Sequence, residues 1–446
     1  MVFDRMYVRI LVLLSMFWTA GTNMAWADSG KIVSAIDASS ADVSKVSQKI
    51  HELAEQGYQE IASSKLLMDE LRKAGFKVEG NLKAPSIQNL DESHPAARIK
   101  PLYQALKEGV FKTAFRAEMP GKAPGPTITI MLEYDALSNG HSCGHNLIAT
   151  SGLMAALGLA AVMPETPGKL VVLGTPAEEL GPWGGKILLL DAGHFDGTDI
   201  VFITHPGDRW NTTDKLLSSK IAVFNFKGKA SHAAAAPHKG INALNATRLT
   251  FTCTDMIRGH LRQDLRIHGI ITKGGAQRNI VSELAQADFS IRALDVPTME
   301  DAYEKVVNCA KAGALGTGAT LDFEPPPYGL LSPLATSLQK VVIDQARALG
   351  VPESDIKDSE DLGSGDLGNV GHVYPTVNLK FKAAPEGTAG HSNEFRAAII
   401  TPEAFKATVL AAKTIAFSAY DLLKHPEKVK ALKAEFEKEK EKEKKL

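Results

Sequence analysis

The chain has 446 residues, 44% hydrophobic and 23% charged, which is ordinary globular composition with length for two or three domains and a sizeable core. With 50 Lys and Arg against 51 Asp and Glu, the formal net charge is −1, so no basic excess exists to drive binding to nucleic acid or anionic lipid. Three cysteines are too few for a disulfide scaffold.

Residues 1–27 read as a secretory signal peptide. Arg5 and Arg9 make a positive start, Ile10 to Trp18 is a short apolar run broken only by Ser15, and Ala25-Trp26-Ala27 is an A-x-A cleavage site. A membrane-spanning helix needs about 20 apolar residues, and Thr19, Thr22 and Asn23 follow too soon. Cleavage after Ala27 predicts an exported protein, periplasmic or secreted, with no membrane attachment afterwards. No cysteine follows the site to carry a lipid.

Asp42 to Ala74 carries apolar residues at helical spacing and predicts one or two helices. Strands are predicted at 127–132 (TITIML), 170–173 (LVVL) and 200–203 (IVFI), with a buried Ala- and Leu-rich helix at 147–162 and another helix at 185–192. Strands alternating with helices imply a mostly parallel sheet covered on both faces. The pattern then changes to strand 220–226, helix 241–261, strands 265–272 and 280–291, helix 299–314 and strand 320–323. That β-α-β-β-α-β order is ferredoxin-like. The expected fold is therefore α/β: a catalytic domain in two parts, 28–215 and 329–424, interrupted by an α+β lid at 216–328. A helix at 407–423 closes the domain. The Lys/Glu-rich tail, 425–446, pairs opposite charges three or four apart and predicts a solvated helix.

Hydrolysis of an unactivated amide needs a strong nucleophile, a polarised carbonyl and a proton shuttle, and divalent metals with a nearby carboxylate supply these. In an open α/β sheet the ligands gather at the C-terminal ends of strands. Four places answer. Glu133-Tyr134-Asp135 and His141-Ser142-Cys143-Gly144-His145 follow the first strand. Glu178-Glu179 follows the second, His205 the third, and His391 lies in the turn-rich EGTAGHSNEF. A single histidine is more often structural, adjacent glutamates are more often a solvated face, and a single cysteine is more often a buried thiol. The force lies in their conjunction, three of the four ending strands of one sheet in order.

The runs LEYDALSNGHSCGHN, GTPAEE, THP and GHSNEF resemble the aminoacylase and glutamate-carboxypeptidase family of co-catalytic metallopeptidases. Within it they look most like the branch of aminobenzoyl-glutamate hydrolases, indoleacetyl-amino-acid hydrolases and beta-alanyl-lysine dipeptidase-like proteins. The resemblance spans nearly the whole mature chain. It implies that Cys143 bridges two divalent ions, zinc or manganese, and that His145, Glu179, His205 and His391 are the other protein ligands. It implies that Glu178 is the general base and that Asp135 orients a ligand. Many relatives read CGHD where this chain has Asn146, a position that is not a ligand. Asn here favours the aminobenzoyl-glutamate and dipeptidase side over the auxin-conjugate side.

The lid run GKASHAAAAPHKGINAL resembles a motif whose histidine, here His232, reaches the partner subunit's active site and stabilises the oxyanion. Asn279 resembles a substrate-holding residue, and Arg278 or Arg292 suits pairing with a substrate carboxylate, against an ordinary surface charge. His141, His194 and His238 read as supporting or surface residues. Cys253 and Cys309 fall on the two lid helices. An oxidising compartment would permit a disulfide between them, but two buried thiols are the favoured expectation. The resemblance implies a homodimeric, two-metal amidohydrolase acting on N-acyl amino acids or small dipeptide-like substrates. A dipeptidase, or a deacetylase of N-acetyl amino acids, is the neighbouring alternative. A silent periplasmic binding protein on the same scaffold would not need Glu178.

Overall fold

The computed structural model describes residues 4–446 apart from 93, 213–215 and 359–361, with side chains described from Asp28 onward. The expected leader, 1–27, thus lies outside the residues whose side chains are described. Among the described residues, ten strands form two sheets: β1 (Lys77–Lys83), β2 (Val110–Pro120), β3 (Thr127–Leu132), β4 (Lys169–Gly174), β5 (Ile200–Gly207), β6 (Ser218–Lys227), β7 (Arg266–Lys273), β8 (Leu284–Ala293), β9 (Thr320–Asp322) and β10 (Thr376–Lys382). The larger sheet has the order β1-β2-β4-β3-β5-β10. Four strands, β4, β3, β5 and the edge strand β10, run parallel, while β1 and β2 form an antiparallel margin that the periodicity did not single out.

Both faces of this sheet are covered, which is why its strands read as unbroken apolar runs. Successive side chains leave opposite faces. Ile128, Ile130 and Leu132, with Leu170, Val172, Ile200 and Phe202, enter a core shared with the helices His145–Ala160 and Pro402–Lys424. Met131, Leu173, Val201 and Ile203 enter a second core with Leu188 and Leu189 of the helix Gly185–Asp191. Each such side chain, wholly buried, contributes roughly 1.5–3 kcal/mol. The predicted segment 42–74 is two helices, the ends of Asp4–Leu53 and Ile61–Lys73.

The second sheet, order β7-β8-β6-β9, is antiparallel throughout. Phe224, Phe226 and Phe289 are wholly buried on one of its faces against the helices Ala243–Ile257 and Val296–Thr317. Cys253 and Cys309, expected as separate thiols, are joined by a disulfide with Cα atoms 5.4 Å apart. The two helices are packed side by side, which brings the sulfurs within bonding reach.

The charged tail is a helix, Pro426–Glu443, but not a fully solvated one. Val429, Leu432 and Phe436 recur at helical spacing and are buried against the body of the protein. Glu435 accepts from the Ser337 backbone N–H at 3.0 Å. Glu443 reaches the lid, where it accepts from Val296 N–H at 3.2 Å. Among the described residues, no helix is long and apolar enough to cross a membrane.

Candidate active site

The parallel strands deliver the candidate residues to one edge. Glu133 and Asp135 follow β3 directly, Glu178 and Glu179 lie just beyond β4, and His205 is in β5. Gly144 precedes the helix that begins at His145. It has φ +79°, and a Cβ there would lie 2.4 Å from Pro206 Cγ. Glycine therefore lets the turn of CGH press against the strand that carries His205. Ala177 and His391 are non-glycine residues in the left-handed region, with φ of 60° and 64°. Such strain persists only where surroundings enforce it, and it collects at functional sites. Here the Ala177 N–H donates to buried Glu60 Oε1 at 2.8 Å, and the His391 N–H donates to the Ser142 carbonyl at 2.8 Å.

Two clusters have the geometry of metal sites, Glu133 with His145 and His205, and Cys143 with His145 and Glu179. His145 and Asp135 are buried, and His145 Nδ1 lies 2.9 Å from Asp135 Oδ1. A carboxylate only accepts, so Nδ1 carries a proton, and in the neutral imidazole Nε2 presents its lone pair. His205 Nδ1 lies 3.0 Å from Asn378 Oδ1, which presents Nε2 in the same way. Asp135 Oδ2 also accepts from the Glu179 backbone N–H at 3.1 Å, so one carboxylate ties two of the candidate ligands. His391 Nε2 stands 3.6 Å from Glu179 Oε1. Among the described residues, His145 Nε2 and Glu179 Oε1 are buried and have no hydrogen-bond partner. Buried acceptors without donors are costly, and a bound cation would satisfy them. Desolvation pushes the Cys143 thiol up to about 12, so a thiolate there needs a neighbouring cation. The donor set of thiolate, imidazole and carboxylate therefore fits divalent metal.

Glu178 Oε2 is 3.8 Å from His145 Nε2. Burial, with the like charge of Glu133, raises its carboxyl to about 7, and Lys186 opposes the shift. A base poised near neutrality suits proton transfer. Gly365 makes room beside it, because a Cβ there would meet Glu178 Oε1 at 2.9 Å. Cys143, His205 and His391 line a cleft of about 440 Å³ together with Asp208, Arg209 and Phe395.

The lid candidates stand apart from this cluster. His232 is exposed, and its Nδ1 accepts from Ala234 N–H at 3.2 Å and Ala235 N–H at 3.0 Å. Its Nε2 is therefore the protonated, outward-facing nitrogen. The Ala233 N–H donates to the Asn279 carbonyl at 3.0 Å, so His232 and Asn279 share one turn region. Arg278 is exposed beside them. Arg292 is half-buried in β8 with Nε 3.4 Å from Ser290 Oγ. Among the described residues, none of these four bonds to the cluster. His141 is buried with Nε2 3.0 Å from the Ile50 carbonyl, His194 Nε2 lies 2.8 Å from the Lys83 carbonyl, and His238 is exposed.

Sequence reasoning placed Glu133 among the strand-end candidates without a specific role, and did not single out Lys186, Asp366 or Asn378. Lys186 is wholly buried, 2.6 Å from Glu133 Oε1 and 2.5 Å from Asp366 Oδ1. The available signal was a charge or amide inside an apolar run: Lys186 before ILLL, and Asn378 within TVNLKF.

The peptidase dimerisation domain model matches residues 217–317, the antiparallel lid. Mouse (Mus musculus) Xaa-Arg dipeptidase is 35% identical over 337 residues, covering 73% of this chain and 78% of that protein. The chain belongs to the M20 family of metallopeptidases. One of the p-aminobenzoyl-glutamate hydrolase subunits of Escherichia coli (strain K12) is also similar to this M20 chain, 30% identical, over 65% of this chain and 58% of that one. A dinuclear metal-binding M20 peptidase from Bacillus subtilis shares its fold, with a TM-score of 0.62 at 18% identity, over 86% of this chain and 99% of that one.

Proposed function

We propose that this M20 enzyme hydrolyses the amide bond of N-acyl amino acids or small dipeptide-like substrates, with two divalent ions per subunit. The observation that carries this reading is the convergence of Glu178 with the two ligand clusters that share His145. When bound, the ions supply Lewis acidity toward the scissile carbonyl and toward the attacking water. Asp135 and Asn378 hold the two imidazoles in the tautomer that ligation needs. Glu178 takes the proton from water and returns it to the leaving amine. Cys143 favours zinc, while the carboxylates and imidazoles also admit manganese. His232, protonated on its outward nitrogen, is the oxyanion donor of a partner subunit in a homodimer. Asn279, with Arg278 or Arg292, meets the substrate carboxylate. The resemblance to a mouse Xaa-Arg dipeptidase supports including dipeptides that end in arginine.

The protein is exported under this reading, and the disulfide between Cys253 and Cys309 supports an oxidising compartment. A panel of N-acyl amino acids and dipeptides, assayed with zinc and with manganese, tests the function. Turnover of at least one member by wild type but not by Glu178→Gln is expected. No turnover of any member with metal verified in place would overturn it.

A further inference from the structure

Glu133 has no assigned role in the set Cys143, His145, Glu179, His205 and His391, yet its carboxylate lies at the meeting point of two of these residues. Its Oε2 is 3.2 Å from His205 Nε2 and 3.6 Å from His145 Nε2, and the residue is wholly buried. As neutral imidazoles both present lone pairs there, because their Nδ1 protons face Asp135 and Asn378. Two neutral imidazoles and the carboxylate offer three acceptors to one point, an arrangement that a shared cation stabilises. The spacing suits one. Ligands about 2.05 Å from a tetrahedral ion are separated by about 3.3 Å along each edge, between the two distances seen.

The bland alternative makes Glu133 only the counter-ion of Lys186. That accounts for one oxygen. Lys186 Nζ lies 2.6 Å from Oε1, and Asp366 already stands 2.5 Å from the same Nζ, so the lysine has an anion without Glu133. It leaves Oε2, which is turned the other way toward the imidazoles. Ligating carboxylates are themselves held by hydrogen-bonded partners, and the chain Asp366–Lys186–Glu133 has that form.

We infer that Glu133 is a further, monodentate ligand of the ion held by His145 and His205, with Lys186 fixing its other oxygen. The two metal positions then differ. The one at Glu133 gains a hard oxygen donor, which raises its tolerance of manganese relative to a site of thiolate and imidazole alone.

This rests on the two-metal reading, and the test separates the two. Chelated protein is titrated with zinc and with manganese by calorimetry, and bound metal is counted by mass spectrometry. Wild type is expected to take two equivalents. Fewer than two would overturn the two-metal reading itself. Folded Glu133→Gln should keep one tight equivalent and bind the second at least ~10-fold more weakly, the lower bound for loss of a group that supports a metal site. The double variant Glu133→Gln with Lys186→Met removes one anion and one cation, so the buried network of Glu133, Lys186 and Asp366 keeps its net charge. If Glu133 were only a counter-ion, the double variant would bind two equivalents as wild type does, and that result would overturn the inference. Loss of the second equivalent in the double variant supports it.

Discussion

Asp135 Oδ1 and His145 Nδ1 lie 2.9 Å apart, both residues buried, and the other oxygen of the same carboxylate holds the Glu179 backbone at 3.1 Å. Asp135 thus sets the tautomer of one candidate ligand and the position of another. Asp135→Asn can present its NH₂ to Nδ1, which would move the imidazole proton to Nε2 and remove the lone pair. Metal affinity should fall about 10–100-fold with the fold retained, and activity should return in part at high metal concentration. A variant with unchanged affinity would show that the contact only packs the helix.

Glu178→Gln should abolish turnover while leaving two metals bound. A general base typically contributes on the order of 10²–10⁴-fold in rate. The glutamine is nearly isosteric beside Gly365, so no steric change accompanies loss of the base. Rate and metal content are measured on the same sample. Near wild-type turnover would remove Glu178 from the mechanism.

Cys143→Ser should lower metal content and activity together, since a hydroxyl is a far poorer soft-metal ligand than a thiolate. Chelation of the wild type should inactivate it, and zinc or manganese should restore it. Full activity with metal verified absent would contradict the metal mechanism.

His232→Ala should cost about 10²–10³-fold in rate, the usual loss on removing an oxyanion donor, with metal content unchanged. If the imidazole acts across the dimer, a mixed dimer with Glu178→Gln has one site with both defects and one with neither. Subunit exchange between the two inactive variants should then recover up to about one quarter of wild-type activity at random pairing. Verified heterodimers without activity would place His232 in its own subunit or outside catalysis.

Asp28, the residue after the expected cleavage site, accepts from the Tyr420 hydroxyl at 2.5 Å in a buried contact. That bond holds the Asp28 carboxyl below its ordinary value of 3.8. A carboxyl depressed on folding contributes stability above its unfolded pKa and loses it as pH falls through the folded value. Tyr420→Phe should therefore cost about 1 kcal/mol at neutral pH, and the gap from wild type should begin to narrow below about pH 4. Denaturant unfolding at pH 7 and pH 3 measures it, and an equal gap at both values would exclude the linkage.

The repeating elements were legible where one force dominated. TITIML, LVVL and IVFI are strands because both faces are covered, so tertiary burial and local propensity agree. The lid order was legible through alternation instead, since β8 buries every second residue against the lid helices. The margin strand β1, KVEGNLK, was not, since it buries only Leu82 of its seven residues. The tail misled in the opposite direction. Its Lys/Glu pairing is genuine, but Val429, Leu432 and Phe436, at intervals of three and four, outweigh it by packing one face inward. At the site, conspicuous residues such as Cys143 and Glu178 could be picked out by type. Lys186, Asp366 and Asn378 could not, because their importance comes from neighbours more than 50 residues away.

The bridge between Cys253 and Cys309 closes a loop across 56 residues, and that loop contains both β7 and β8 and the turn bearing Arg278 and Asn279. Restricting the unfolded chain over such a span is worth about 4 kcal/mol in the loop-entropy account. The catalytic sheet has no share in it, because its strands and Cys143 lie outside the loop. Redox potential therefore acts on the two halves unequally. A copy made in a reducing cytosol would keep its metal cluster on an unaltered sheet while its lid melted at a lower temperature, a molecule competent to load metal yet thermally crippled in the half that presents His232.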